Sequence, residues 1–92
     1  MIVKIKQSSQ YVSDYKDLIF KNSEITADIA KRLSLFCRKP DDDRLRNHKL
    51  KGKLADRWAF SINDDIRIIY KWIGKNRVRF LRIGGHNKVY KK

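Results

Sequence analysis

The chain has 92 residues, 41% of them hydrophobic, and a formal net charge of +13. That length supports one compact core and not two, and the hydrophobic share excludes wholesale disorder. The charge far exceeds what solubility requires and points to a polyanionic partner, nucleic acid first.

The opening segment, Met1 to Lys6, alternates apolar and basic residues, with Val3 and Ile5 on one face and Lys4 and Lys6 on the other. This predicts a strand over Ile2–Ile5. The segment has no signal-peptide core, and no apolar run approaches membrane-spanning length, so a cytoplasmic protein without membrane contact is expected. Ser8 and Ser9 then offer caps to a helix whose apolar residues Tyr11, Tyr15, Leu18 and Ile19 recur at helical spacing. Asn22-Ser23 interrupts it. A second helical stripe, Ile25, Ile29, Leu33 and Phe36, runs to Pro40, which cannot continue a helix and restrains the residue before it. Cys37 falls on this stripe as a small buried hydrophobe. As the single cysteine it excludes an internal disulfide and speaks against a four-ligand zinc site. Asp41-Asp42-Asp43 reads as a solvated acidic loop, because adjacent carboxylates on a regular element point apart and do not converge on a cation.

From Arg57 onward the period becomes two. Trp58, Phe60 and Ile62 alternate with Arg57, Ala59 and Ser61, and Asn63-Asp64 supplies turn chemistry. Ile66, Ile68, Tyr70 and Trp72 then alternate with Arg67, Ile69 and Lys71. After the turn Gly74-Lys75-Asn76, the stretch from Arg77 to Ile83 is apolar enough on both faces to be a central strand, and Gly84-Gly85 stops it. The order β-α-α-β-β-β predicts an α+β domain over residues 1–92. Its two helices pack on one face of a small, mostly antiparallel four-stranded sheet and leave the other face free for a ligand.

The charge is segregated along the chain. Residues 1–43 carry 8 Lys/Arg against 7 Asp/Glu, whereas residues 44–92 carry 15 against 3, a net of +1 beside a net of +12. This is the electrostatic footprint of a nucleic-acid binder. No glycine-rich phosphate loop and no paired catalytic glutamates occur. The chemically capable residues of the basic half are His48, Asp65, Arg67, His86 and Tyr90, in a field of Lys49, Lys51, Lys53 and Arg82. Cleavage of RNA by its own 2′-hydroxyl needs a base, an acid for the departing 5′-oxygen, and a cation for the charge that builds on phosphate. Histidine serves the first two near neutral pH and arginine the third. Asp65 and Arg67 are two apart on a predicted strand and so share a face, His86 follows a Gly-Gly at the sheet's rim, and an exposed Tyr90 would stack on a base or ribose. Each has a plainer reading: His48 as an exposed histidine, Asp65 as a turn cap, Arg67 as a surface cation, Tyr90 as core.

The run His48-Lys49-Leu50-Lys51-Gly52-Lys53-Leu54, the strand Asp65-Ile66-Arg67-Ile68-Ile69-Tyr70 and the closing Gly85-His86-Asn87-Lys88-Val89-Tyr90 resemble the RelE/ParE superfamily of bacterial toxins. The likeness is greatest to the RelE/StbE and YafQ-like mRNA interferases. It implies a type II toxin that cuts mRNA on the ribosome by 2′-hydroxyl attack, with no cofactor or metal, and that a cognate antitoxin neutralises. It also implies His86 and His48 as the family's proton-transfer histidines, Asp65 as the aspartate before the strand, Arg67 as the phosphate contact and Tyr90 as the terminal aromatic. The chain departs from the pattern at Ala59 and Ser61, where RelE-like members place lysines and YafQ-like members an aspartate and a histidine. Part of either catalytic set is therefore absent. Two alternatives stay open: a ParE-like gyrase inhibitor of the same fold, and an RNA-binding module without activity.

Overall fold

A computed structural model describes residues 2–90; Met1, Lys91 and Lys92, which the expected domain limits include, lie outside the described residues. The elements in chain order are β1 (Lys4–Gln7), α1 (Ser9–Lys21), α2 (Ile25–Arg38), β2 (His48–Lys49), β3 (Trp58–Ser61), β4 (Ile66–Gly74), β5 (Arg77–Gly85) and α3 (His86–Val89). They form the expected α+β architecture, with one correction. The sheet has five strands, in the order β1-β5-β4-β3-β2, because His48 and Lys49 pair with Ala59 and Trp58 as a two-residue edge strand. Two residues are too few to show a period. All neighbours are antiparallel except β1, which runs parallel to β5 with Lys4 opposite Arg77.

Each helix begins and ends for local reasons. The Ser8 hydroxyl accepts the Tyr11 amide at 3.0 Å, capping α1, and donates to the Leu81 carbonyl at 3.1 Å, tying the helix start to β5. The backbone amide of Asn22 closes α1 on Leu18, and α2 ends at Arg38, two residues before Pro40. The stripes of the two helices bury Tyr11, Ile25, Ile29 and Phe36 against Phe60, Ile68, Tyr70, Val78, Phe80 and Ile83 of the sheet and Ile62 just past β3. Aromatic rings dominate the centre: Phe36 stacks on Phe60 at 4.4 Å between centroids and meets the edge of Tyr70 at 5.0 Å. Cys37 is half-buried rather than buried, and burial still pushes its thiol up. The aspartate loop is ordered by its own side chain, since Asp42 caps a short 3-10 turn over Asp43–Leu45 and pairs with Arg44 at 3.0 Å.

The face away from α1 and α2 is not bare. Ala59 and Ile69, fully buried, join Val89 of α3 in a second apolar cluster, against which Leu50, Leu81 and Tyr90 pack. The cluster brings the segment after β2 and the closing helix onto the same side of the sheet. Among the described residues, no helix is long and apolar enough to cross a membrane.

Candidate active site on the face away from the long helices

The turn between β3 and β4 is closed by Asn63, whose side-chain oxygen accepts the amides of Asp65 at 2.9 Å and Ile66 at 2.7 Å. Asp65 thus ends the turn instead of starting the strand, and the turn cap is Asn63, not Asp65. The freed Asp65 carboxylate lies against the chain at Gly85: a Cβ there would stand 3.2 Å from Asp65 Oδ1. Arg67 follows on β4, opposite Ser61 of β3 and Gly84 of β5. Its Nη1 donates to the Ser61 hydroxyl at 3.0 Å, which fixes one edge of the guanidinium fork. Ser61 therefore holds the arginine from the neighbouring strand.

Gly85 leads directly into α3, whose first residue is His86. The exposed His86 ring meets the half-buried Tyr90 ring edge-on at 4.4 Å, one helical turn along. Burial pushes the Tyr90 phenol up, while the positive charge of Arg67 pulls the other way. Asp65, Arg67, His86 and Tyr90 thus gather around Gly84-Gly85 at one end of the sheet.

His48 enters from the far edge, opposite Ala59 in the register. Its Nδ1 lies 2.9 Å from the Arg46 carbonyl oxygen. A carbonyl only accepts, so Nδ1 carries the proton and a neutral His48 keeps its lone pair at Nε2. Arg46 takes a left-handed backbone, φ 51°, and lines a small cleft with Ser61, Asn63 and Asp64. Sequence reasoning missed this cation, which has no periodic or motif signal. Lys49, Lys51 and Lys53 are exposed along the same edge, around β2 and the 3-10 turn Gly52–Leu54.

Arg82 requires a correction. Expected among the free RNA-facing cations, its Nε and Nη2 instead donate to the buried Asp14 carboxylate, each at 3.0 Å. A bulge opposite Ile69 and Tyr70 leaves Leu81 as an extra residue, so the period-two count of β5 shifts at that point. Ile83, and not Arg82, then joins Val78 and Phe80 in the main core. Tyr90 likewise is half-buried, packed against the second apolar cluster rather than standing exposed. Among the described residues, no three His, Cys, Asp or Glu side chains converge as a metal site would need.

Comparison with known proteins gives the site a context. Residues 3–91 match the sequence profile of a family described as the bacterial toxin of type II toxin-antitoxin system, YafQ. The fold is similar to YafQ from E. coli strain BL21(DE3), with a TM-score of 0.80 and 21% identity over 97% of this chain and 99% of that one. It is similar to YafQ of the E. coli DinJ-YafQ toxin-antitoxin complex, at 0.78 and 22% over 99% and 100% of the two chains. A metal-bound toxin from Helicobacter pylori matches at 0.77 and 24% over 98% and 100%. At such identities the likeness to solved structures speaks for the fold alone. A search among curated proteins gives no match.

Proposed function

The chain belongs to the YafQ family of bacterial toxins from type II toxin-antitoxin systems, and on that premise we propose that it is an endoribonuclease that cuts mRNA on the ribosome. The observation that supports this most is the gathering of Asp65, Arg67, His86 and Tyr90 around Gly84-Gly85, on the face away from the long helices. In this reading residues 1–92 act as one toxin domain in the cytoplasm. Lys49, Lys51 and Lys53 draw the RNA backbone to the edge of the sheet. His48 takes the 2′-hydroxyl proton at Nε2, with Asp65 as the other base within the set. The 2′-oxygen attacks phosphorus, the bond to the 5′-oxygen breaks, and His86 gives that oxygen a proton. The products are a 2′,3′-cyclic phosphate and a 5′-hydroxyl. Arg67, held by Ser61, offers its remaining donors to the phosphate as charge builds. Tyr90 supports the His86 ring from its side. A cognate antitoxin with an acidic segment would neutralise the protein by covering this cationic face, a partnership that the DinJ-YafQ complex of the relative supports.

Single-turnover cleavage of mRNA on ribosomes tests the reading, with circular dichroism as the fold control. His86→Ala is expected to lose on the order of 10²–10⁴ in rate. Arg67→Ala is expected to slow cleavage without moving its pH profile, and His48→Ala to slow it through loss of the base. A folded His86→Ala protein that cuts at the wild-type rate sinks the acid assignment. Intact mRNA together with gyrase-dependent DNA damage would favour a ParE-like activity instead.

A further inference from the structure

Asp14 lies in the middle of α1, 1% exposed, and takes no part in the chemistry above. Its carboxylate is saturated. Oδ2 accepts Arg82 Nε at 3.0 Å and the Ile83 amide at 3.2 Å; Oδ1 accepts Arg82 Nη2 at 3.0 Å and Gln10 Nε2 at 2.9 Å. Lys88 Nζ stands 3.7 Å from Oδ1. One buried side chain of α1 therefore touches both β5 and α3. Burial opposes the charge on Asp14, but the bonds from Arg82, Gln10 and the Ile83 amide outweigh it and hold the carboxyl below its usual value.

The Lys88 arm reaches this carboxylate across Gly84. A Cβ at Gly84 would come within 3.1 Å of Lys88 Cδ and 3.6 Å of Val89 Cγ1, so the bare glycine is the trough in which α3 lies. Helix α3 needs such anchoring. It has four residues, and its N-cap Gly85 contributes no side-chain bond. A single turn does not hold itself in water. Two attachments fix it: Val89 in the second apolar cluster, and Lys88 on Asp14. His86 and Tyr90 flank Lys88, so whatever sets the angle of Lys88 also sets theirs. The bidentate fork from Arg82 fixes the direction of the carboxylate on β5, and from there Asp14 faces the exposed Lys88 ammonium through one contact at 3.7 Å.

We propose that Asp14 is a positioning residue for the active site: held on β5 by Arg82, it orients α3 through Lys88 and so places His86 and Tyr90. The proposal rests on the nuclease reading for its effect on rate, but not for its effect on structure. Asp14→Asn removes the anchor and raises the net charge by one. If Asp14 were a bystander, that extra positive charge would tighten binding to ribosomes and leave turnover alone. The expected result is the reverse split. The cleavage step slows by on the order of 10–100-fold, as a misplaced catalytic group does, while the KM for programmed ribosomes does not rise. Amide hydrogen exchange at residues 86–90 is expected to accelerate and the His86 ring resonances to shift. Lys88→Met, which keeps the arm over Gly84 and the Asp14–Arg82 fork but loses the ammonium, serves where Asp14→Asn does not fold. It is expected to show the same exchange and ring shifts. Wild-type exchange and unmoved His86 resonances in a folded variant would overturn the proposal. A wild-type protein that cleaves no mRNA would overturn the nuclease reading alone, since exchange and resonances still report whether Asp14 orders α3.

Discussion

Tyr70→Phe removes one oxygen atom from the centre of the molecule and has an effect whose sign depends on pH. The side chain is fully buried, and its hydroxyl donates to Asn47 Oδ1 at 2.8 Å. Asn47 in turn donates to the Pro40 carbonyl at 2.8 Å, so the bond tethers the loop that leads into His48. Loss of such a bond costs about 0.5–1.5 kcal/mol. Taking about 1 kcal/mol, the melting temperature at pH 7 falls by about 4–8 °C. At high pH the balance reverses. Burial pushes the Tyr70 phenol up to about 12, while in the unfolded chain it ionises near 10. The folded state then binds the proton more tightly than the unfolded state does. The stability tied to that proton is complete below about pH 10 and drains away, at about 1.4 kcal/mol per pH unit, as pH rises toward the folded value. By pH 11 wild type has lost about 1.4 kcal/mol that the phenylalanine variant never had to lose. Tyr11, also raised to about 12, is present in both proteins and cancels in the difference. Urea denaturation at a series of pH values, followed by circular dichroism, should give stability curves that cross near pH 11. A difference that stays constant from pH 7 to pH 11 would show that the phenol is not shielded from water.

Three further outcomes are expected. Phe36→Ala, at the hub of the rings of Phe60, Tyr70 and Phe80, should cost about 3–5 kcal/mol with little change in the urea m-value; a loss under about 1.5 kcal/mol would mean that the ring is not a core contact. Ser61→Ala should release the Arg67 fork and slow mRNA cleavage at nearly unchanged stability, and an unaltered rate would deny the serine its holding role. Asp14 contributes stability that is present above its unfolded value of about 3.9 and is lost as pH falls through its lower folded value; Asp14→Asn should flatten the acid limb of a circular dichroism titration, and identical limbs would place the carboxylate in water.

How much of this was legible beforehand depends on the range over which each feature is encoded. The helices α1 and α2 and the strands β3 to β5 follow from spacing within a few residues, as with Ile25, Ile29 and Phe36, and their ends follow from Ser8, Asn22 and Pro40. The motif residues Arg67 and His86 stand out for the same reason. What escaped is encoded across distance. Strand β2 exists because β3 offers it an edge, and nothing in His48-Lys49 announces a strand. The bulge at Leu81 makes Arg82 and Ile83 exchange the roles that alternation assigns them. Asp14 looks like a solvent-facing residue of an amphipathic helix until Arg82 and Lys88, both far along the chain, arrive to meet it. The second apolar cluster has the same origin, for Leu50, Ala59, Ile69 and Val89 lie on four separate stretches.

The parallel pairing of β1 with β5 also governs the order of events during synthesis. Gln7 finds its partner only in Phe80, and Val3 belongs to a core whose last strand is β5. A nascent chain that stops short of β5 has made both long helices but leaves Val3 and Ile5 without a sheet to cover them. Such long-range closure is slow compared with helix formation, and it exposes apolar surface while it waits. His86 is made directly after that strand, so the end of the sheet that carries it is assembled at the same moment as the final seam. An unfinished copy is therefore food for chaperones and proteases, and the cell that makes the protein meets it as a poison only once translation has passed β5.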